Sequence, residues 1–289
     1  MRYHYQFYAA ITILSWGIGN VLTRVALQTF SPFAIGFLRY AIASILLTVL
    51  VIVKKIRPPA KADMPWFMLS GFSGFAFYMV TYNLGYVTVT AATGSVISAT
   101  IPLMTAALAW LVFKEELRAF QWFAVLLQFL GIVMIALFGG HFSVSAGVLW
   151  LLLSALSLSV YNLLQRRMAQ KYSALQCSIY SIFCGMIMLT IFAPRAVYEL
   201  SSARADTIFA VVFLGIFASA VAFLSWTKAL SLADKASQVS NFMFITPLIS
   251  TGLEITVFRE MPSLSTVLGG LVILLGAFLF GRAKTHAYR

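Results

Sequence analysis

Ten stretches of mainly apolar residues follow one another along this chain, separated by short polar or basic segments. Each is close to the length of about 20 residues that an α-helix needs to cross a bilayer. Apolar residues make up 61% of the 289 residues and charged residues only 10%, which is more apolar surface than a soluble core can bury. We therefore predict an all-α membrane protein with ten transmembrane helices. The predicted spans are 6–25, 33–53, 66–86, 91–113, 120–138, 146–165, 173–193, 207–230, 236–258 and 264–281.

The distribution of positive charge predicts the orientation of the spans. If the N-terminus is cytoplasmic, 15 of the 20 Lys and Arg residues fall in cytoplasmic segments and four in external segments, while Arg39 lies within a span. Cytoplasmic loops of membrane proteins carry such an excess. We therefore expect both termini to be cytoplasmic in a bacterial-type inner membrane. The net charge of +12 then reflects topology, and no nucleic-acid partner is expected.

The two halves of the chain align with each other at a nearly constant offset. We expect repeat 1 to cover residues 1–140 and repeat 2 to cover residues 143–289, with five spans in each. An odd number of spans gives the repeats opposite orientations, an architecture typical of alternating-access transporters whose substrate site lies between the repeats. The matched pairs, at offsets of 142 to 145 residues, include Asn20 and Asn162, Arg24 and Arg166, Tyr82 and Trp226, Pro102 and Pro247, and Gly131 and Gly276.

Short motifs near the end of each half carry a family resemblance. They are Ile101-Pro102-Leu103, Phe113-Lys114-Glu115-Glu116-Leu117 and Gly131 in the first half, Thr246-Pro247-Leu248, Phe258-Arg259-Glu260 and Gly276 in the second, and Leu38-Arg39-Tyr40 in the second span. Together they resemble the drug/metabolite transporter superfamily, EamA-type branch, over nearly the whole chain. Within it the chain is most similar to the YddG-type aromatic amino acid exporters. This resemblance implies a secondary transporter that exports small metabolites, with aromatic amino acids foremost. The second copy departs from the first by having Met261-Pro262 where the first has Glu116-Leu117.

Polar and aromatic residues within the spans are candidates for a substrate cavity. Trp16 lies in the middle of its span and forms a helical stripe with Asn20, while Tyr78 and Tyr82 share one face of the third span. Such groups need polar partners in a membrane, and the alternative to a cavity is that they hold helices together. Trp226 fits either an interfacial belt or an inner gate. The expected cavity residues are Trp16, Asn20, Tyr78, Tyr82, Ser95, Ser98, Asn162, Trp226, Asn241 and Phe244.

Four further residues are expected to act as gates or hinges. Pro102 and Pro247 lie centrally in the fourth and ninth spans, where proline removes a hydrogen bond and kinks a helix. Arg39 and Glu254 are ionisable residues within spans, and such residues are functional candidates because a membrane makes them costly. Their similar depth predicts that they form an outer closure, directly or through hydroxyls and water. A structural kink and a structural ion pair are the alternatives.

These observations favour a transporter over other classes of membrane protein. His4, His141 and His286 are isolated, and neither a metal-ligand motif nor a nucleophile motif is present, so a membrane-embedded enzyme is the weaker alternative. Within transporters, an exporter of other metabolites or cationic drugs is the second reading. The expected partners are a small-molecule substrate and the lipid bilayer, without a cofactor or metal. The sequence leaves energetic coupling and oligomeric state open.

Overall fold

The computed structural model describes residues 4–113, 119–137, 146–232, 239 and 241–282, and in this part of the chain helices are joined by short turns and loops, without any strand. Within this part of the chain, ten helical stretches match the ten predicted spans to within a few residues, and the predicted fold class is confirmed. Six stretches are each long and apolar enough to cross a bilayer by themselves. They are Tyr5–Ala26, Pro32–Lys54, Ala91–Val112, Ala146–Met168, Ala174–Ser201 and Ala205–Ala229.

Among the described residues, the first half contains seven α-helices, because two of its five spans are each built from two helices. They are α1 (His4–Ala26), α2 (Pro32–Lys54), α3 (Met64–Gly71), α4 (Phe77–Tyr86), α5 (Ala91–Ser98), α6 (Ile101–Phe113) and α7 (Ala119–Leu137). A π-helical turn, Phe72–Ala76, joins α3 to α4 into one continuous span. A 3₁₀ turn, Lys61–Asp63, precedes α3.

The second half repeats this pattern. Its helices are α8 (Ala146–Met168), α9 (Ala174–Leu189), α10 (Ala193–Ser201), α11 (Ala205–Phe213), α12 (Ala222–Leu232), α13 (Thr246–Phe258) and α14 (Leu264–Arg282). A π-helical segment, Leu214–Val221, joins α11 to α12, and at an offset of 144 residues it overlaps the π-helical turn of the first half. The 3₁₀ turn Asn241–Ile245 leads into α13, and a second one, Thr190–Phe192, links α9 to α10.

Equivalent serine residues begin the second helix of each half. The Ser31 hydroxyl accepts a hydrogen bond from the Ala34 backbone N–H, and the Ser173 hydroxyl accepts one from the Gln176 N–H. A serine in this position satisfies a backbone donor that the first turn leaves unpaired, so it defines where the helix starts. The two serines are 142 residues apart, so the repeat extends to local capping.

The two halves pack against each other through equivalent pairs of helices. Helix α1 packs against α12 and α13, while its equivalent α8 packs against α4 and α6. Likewise α2 packs against the Leu214–Val221 segment, and α9 packs against Phe72–Ala76. These contacts between the halves thus come in pairs with the roles of the two halves reversed. This is the arrangement expected for inverted repeats related by a pseudo-two-fold axis.

Helices α7 and α14 cross each other at two equivalent glycines. A Cβ atom added at Gly131 would lie 2.6 Å from the Gly269 carbonyl oxygen, and one added at Gly276 would lie 2.9 Å from the Ala124 carbonyl oxygen. Such distances leave no room for a side chain, so glycine is required for the helices to approach this closely. The contact places the last spans of the two halves side by side.

Candidate functional site

A cavity of about 560 Å³ lies between the two halves of the bundle. Nine of the residues expected from the sequence line it: Trp16, Asn20, Arg39, Tyr78, Tyr82, Ser95, Ser98, Asn162 and Trp226. The side chains of Asn241, Phe244 and Pro102 lie outside the part that the structure describes. The wall is aromatic and apolar for the most part, with a few polar groups, which is the usual composition of a small-molecule site.

The cavity reaches the surface at one end of the bundle. Arg166 and Ala169 near the end of α8, and Ala174 at the start of α9, line the cavity and are exposed. Toward the other end, Asn20 and Tyr82 are buried, and Glu254 closes the bundle beyond them with 2% exposure. The cavity therefore has one accessible end and one closed end.

Trp16 and Trp226, from opposite halves, pack against each other in the cavity wall, with ring centroids 5.3 Å apart. The Trp16 indole N–H donates to the Ala218 carbonyl at 3.2 Å, within the π-helical segment that joins α11 to α12. Short π-helical segments inside α-helices are frequent at functional sites. The sequence left two alternatives for Trp16, a cavity wall or a contact between helices. In the structure Trp16 has both roles, since it lines the cavity and its indole N–H binds a neighbouring helix.

A buried polar network lies beside this aromatic pair. The Tyr82 hydroxyl donates to Asn20 Oδ1 at 2.6 Å, and Asn20 Nδ2 donates to the Ser250 hydroxyl at 3.0 Å. Ser250 in turn donates to the Gly17 carbonyl at 3.1 Å. Buried polar groups in a membrane protein must be paired, and this network joins α1, α4 and α13.

Arg39 is buried in the cavity wall, and it interacts with the opposite half. Its Nε donates to the Ser219 hydroxyl at 2.6 Å, and its Nη2 donates to the Ala218 carbonyl at 3.3 Å. The Nη1 atom faces the Met79 sulfur at 3.9 Å. The expected direct pairing between Arg39 and Glu254 is not observed, because α2 packs against the Leu214–Val221 segment while α13 packs against α1 and α5.

Glu254 pairs instead with Arg24, which lies in the last turn of α1. Arg24 was counted among the four external positive charges, although the predicted span 6–25 includes it, and in the structure α1 continues past it to Ala26. Arg24 Nη1 lies 2.6 Å from Glu254 Oε1 and 2.8 Å from Glu260 Oε2. The Glu254 carboxylate also accepts the backbone N–H groups of Ala91 and Ala92 at 2.6 and 2.7 Å. A carboxylate at the first turn of α5 is favoured by the helix dipole, so α1, α5 and α13 meet at one ionic contact.

The two predicted proline kinks are breaks between separate helices. Ala99 and Thr100 interrupt the fourth span, and Pro102 is the second residue of α6. In the ninth span, Pro247 is buried as the second residue of α13, after the 3₁₀ turn Asn241–Ile245. Proline is tolerated in the first turn because the N–H that it lacks has no partner there. The equivalent prolines therefore start new helices at matching depth.

Several lining residues were not anticipated from the sequence. Tyr40, Tyr161, Gln165, Phe223 and Thr246 all contribute to the wall. Gln165 could have been found from the internal repeat. When the offset of 142 residues is added to Trp16, Asn20 and Thr23 of the first span, the result is three residues that line the cavity: Leu158, Asn162 and Gln165. The others are aromatic or small residues whose direction in an apolar span has no local signature.

Comparisons with known proteins agree with this architecture. A family model described as the EamA-like transporter family matches the chain twice, over residues 5–137 and 145–282. The uncharacterized transporter YdfC of Bacillus subtilis is 30% identical over 264 residues, covering 91% of this chain and 86% of that protein. A probable terminal-alkyne amino-acid exporter of Streptantibioticus cattleyicolor is 25% identical, covering 94% and 91% of the respective chains.

Two further matches extend the comparison. An S-adenosylmethionine uptake transporter of Rickettsia prowazekii is 25% identical over 266 residues, covering 91% of this chain and 87% of that protein. A crystal structure with 18% sequence identity has the same fold, with a TM-score of 0.64 over 98% of this chain and 100% of that one.

Proposed function

The chain belongs to the EamA-like transporter family, and we propose that it exports aromatic and other amino acids across a bacterial-type inner membrane by alternating access. Family membership makes it a multi-pass membrane transporter and not an enzyme. The observation that carries the substrate assignment is the aromatic cavity of about 560 Å³ between the two halves. Relatives include an amino-acid exporter and an S-adenosylmethionine transporter, so the substrate varies within the family.

The charges around the cavity favour amino acids over the alternative of cationic drugs. Its described lining residues include the cations Arg39 and Arg166 and no carboxylate. A site for cations is expected to offer carboxylates, because a buried positive substrate needs a compensating charge. This disfavours a cationic drug as the main substrate and supports a zwitterion or an anion.

The accessible end of the cavity corresponds to the cytoplasmic side of the proposed topology. Arg166 and the basic segments 54–61 and 166–171 lie at that end, where positive charge is expected. In this state the cavity receives substrate from the cytoplasm, and the ionic contact of Arg24, Glu254 and Glu260 closes the outer side. Export then requires this contact to separate while the inner end closes. Rearrangement at the breaks before Pro102 and Pro247 allows the half-helices α6 and α13 to tilt.

Counterflow in proteoliposomes tests the substrate assignment. We expect labelled phenylalanine, tryptophan and tyrosine to exchange faster than threonine, and a lipophilic cation such as tetraphenylphosphonium not to exchange. Exchange of the cation without any amino acid would contradict the proposal. Topology is tested separately: a single cysteine at Ser202 should react with an impermeant reagent in intact cells, and one at Lys61 should not.

A further inference from the structure

The buried cation Arg39 lacks a carboxylate partner among the described residues. The residue is 6% exposed, and its contacts are a hydroxyl, a carbonyl, a sulfur atom and the face of the Tyr40 ring, whose centroid lies 5.9 Å from the guanidinium carbon. A charge buried in a membrane protein is costly unless an opposite charge lies nearby. The neutral partners of Arg39 orient the guanidinium group but leave its charge uncompensated.

Every carboxylate that the structure describes forms an ion pair with a residue other than Arg39. Glu254 and Glu260 bind Arg24, and Asp63 binds Lys171. The two remaining ones, Glu199 and Asp206, bind Arg195 and Arg204. No described acidic side chain is thus left to neutralise Arg39.

Two hydroxyls in the wall of the same cavity are unsatisfied. The Tyr40 hydroxyl and the Thr246 hydroxyl are both buried, and neither has a hydrogen-bond partner among the described residues. Both residues line the same cavity as Arg39. Buried hydroxyls without partners are uncommon in folded proteins, and in a cavity wall they are typical of groups that a ligand satisfies.

The Ala218 carbonyl links this polar cluster to the aromatic pair. It accepts hydrogen bonds from both Arg39 Nη2, at 3.3 Å, and Trp16 Nε1, at 3.2 Å. The guanidinium group and the Trp16 indole N–H therefore meet at one carbonyl oxygen, and Trp16 in turn packs against Trp226. A molecule with a carboxylate beside an aromatic ring matches this juxtaposition.

On the premise of the proposed transport function, we propose that Arg39 binds the substrate's carboxylate, with the Tyr40 hydroxyl as a second donor. The aromatic side chain of the substrate then packs against Trp16 and Trp226. Guanidinium groups bind carboxylates strongly, through charge-assisted hydrogen bonds. The site accordingly selects aromatic carboxylates over amides and amines of the same shape.

The test measures ligand binding to the purified full-length protein by thermal shift and by equilibrium binding of labelled ligand. Three probes are used: phenylalanine, 3-phenylpropanoate, which lacks the amine, and phenylalanine amide, which lacks the carboxylate. We expect the two carboxylates to stabilise the protein and the amide to bind at least about tenfold more weakly, since a hydrogen bond to a charged group is lost. This comparison needs no variant, so it holds even where a substitution impairs folding.

Three variants sharpen the result. Arg39→Gln should weaken the carboxylates by about tenfold or more and leave the amide unchanged, and Arg39→Lys should recover part of the affinity. Arg195→Gln is the matched control, because it removes one positive charge from an exposed pair with Glu199. Equal binding of phenylalanine and its amide, or unchanged binding in Arg39→Gln, would overturn the proposed site. So would the absence of binding by both carboxylates.

These outcomes separate the site from the transport function. Arg39-dependent binding of 3-phenylpropanoate without counterflow of any amino acid would retain the carboxylate site and reject amino-acid export. Counterflow of phenylalanine that is insensitive to Arg39→Gln would retain export and reject the site.

Discussion

Asn20 and Asn162 occupy equivalent positions in the two halves, and each donates a hydrogen bond to a hydroxyl of the opposite half. Asn20 Nδ2 lies 3.0 Å from Ser250 Oγ, and Asn162 Nδ2 lies 3.1 Å from Thr105 Oγ1. The two hydroxyls are themselves equivalent, at an offset of 145 residues. Two equivalent hydrogen bonds therefore join the halves at the cavity wall. Asn20 differs from Asn162 in that it also accepts a hydrogen bond from the Tyr82 hydroxyl.

This difference predicts unequal effects of two matched substitutions. Asn20→Ala should lower the free energy of unfolding by about 1–3 kcal/mol, because it leaves the buried Tyr82 hydroxyl without its acceptor. Asn162→Ala should cost less, since Asn162 is half-buried and has a single such bond. Thermal unfolding in detergent measures both. Adding Tyr82→Phe to Asn20→Ala should cost less than Tyr82→Phe alone; fully additive losses would contradict the shared network.

The outer contact predicts a shift in access when Glu254 loses its charge. Glu254→Gln removes the ion pair with Arg24, and we expect the outward-open population to rise about tenfold or more, because removing one partner of a buried pair is costly for the closed state. The readout is labelling of a single cysteine at Ser98, in the cavity wall, by an impermeant reagent in intact cells, with Cys177 and Cys184 replaced.

Glu260→Gln is the matched control for this experiment. Its carboxylate binds the same arginine, but the side chain is 44% exposed, so its loss should change labelling much less. Labelling that is unchanged in Glu254→Gln would exclude this contact as the outer closure.

The close contact between α7 and α14 predicts that no side chain larger than glycine's is tolerated at Gly131 or Gly276. Replacing Gly131 or Gly276 with leucine should destabilise the protein by several kcal/mol, because the added atoms collide with backbone carbonyls that have no flexible end to move. The two effects should be similar, as the contacts are equivalent. Gly252→Ala is the control: nothing lies within 4 Å of its added Cβ, and alanine favours a helix, so stability should hold or rise. Monodispersity and thermal unfolding report the outcome.

The loop before α3 predicts a stability loss at acid pH. Hydrogen bonds from Lys171 and Tyr172 hold the pKa of Asp63 below its ordinary value. A lowered pKa in the folded state means that the contribution is complete above the unfolded value, near 4, and is lost as the pH falls through the folded value. Melting temperature measured from neutral pH down to pH 3 should show an acid decline that is smaller in Asp63→Asn. Asp206→Asn, which removes an exposed carboxylate, is the control.

Removing an aromatic face should affect substrates unequally. Tyr78 lines the cavity with its ring centroid 5.5 Å from that of Tyr82. Tyr78→Ala should reduce counterflow of phenylalanine by about twofold to tenfold more than that of threonine, because an aromatic pair contributes about 0.5–1.5 kcal/mol. Tyr198→Ala, at an exposed position on α10, should leave both unchanged. Equal losses for the two substrates would point to a folding defect.

Most of the expected cavity residues could be found from the sequence because a polar or aromatic side chain inside an apolar span stands out locally. Trp16, Asn20 and Tyr82 are examples, and the internal repeat carried the inference to Asn162. Tyr40 and Thr246 were missed, since the direction of a single side chain in an apolar helix depends on how that helix packs. The partner of Glu254 was also missed, because Arg24 at the end of α1 was counted as an external charge, and only the packing of α13 against α1 brings the two side chains together.

The sequence by itself determined the ten spans and the inverted repeat, because the length of an apolar run and its match to a second copy are properties of the chain alone. Only the tertiary structure decided which charges pair. Arg24 and Glu254 are 230 residues apart, and depth in the membrane brings several such groups to the same level. The choice between Arg24 and Arg39 depends on α13 packing against α1 and α5 while α2 packs elsewhere. That packing also leaves Arg39 in the cavity wall without an acidic partner among the described residues.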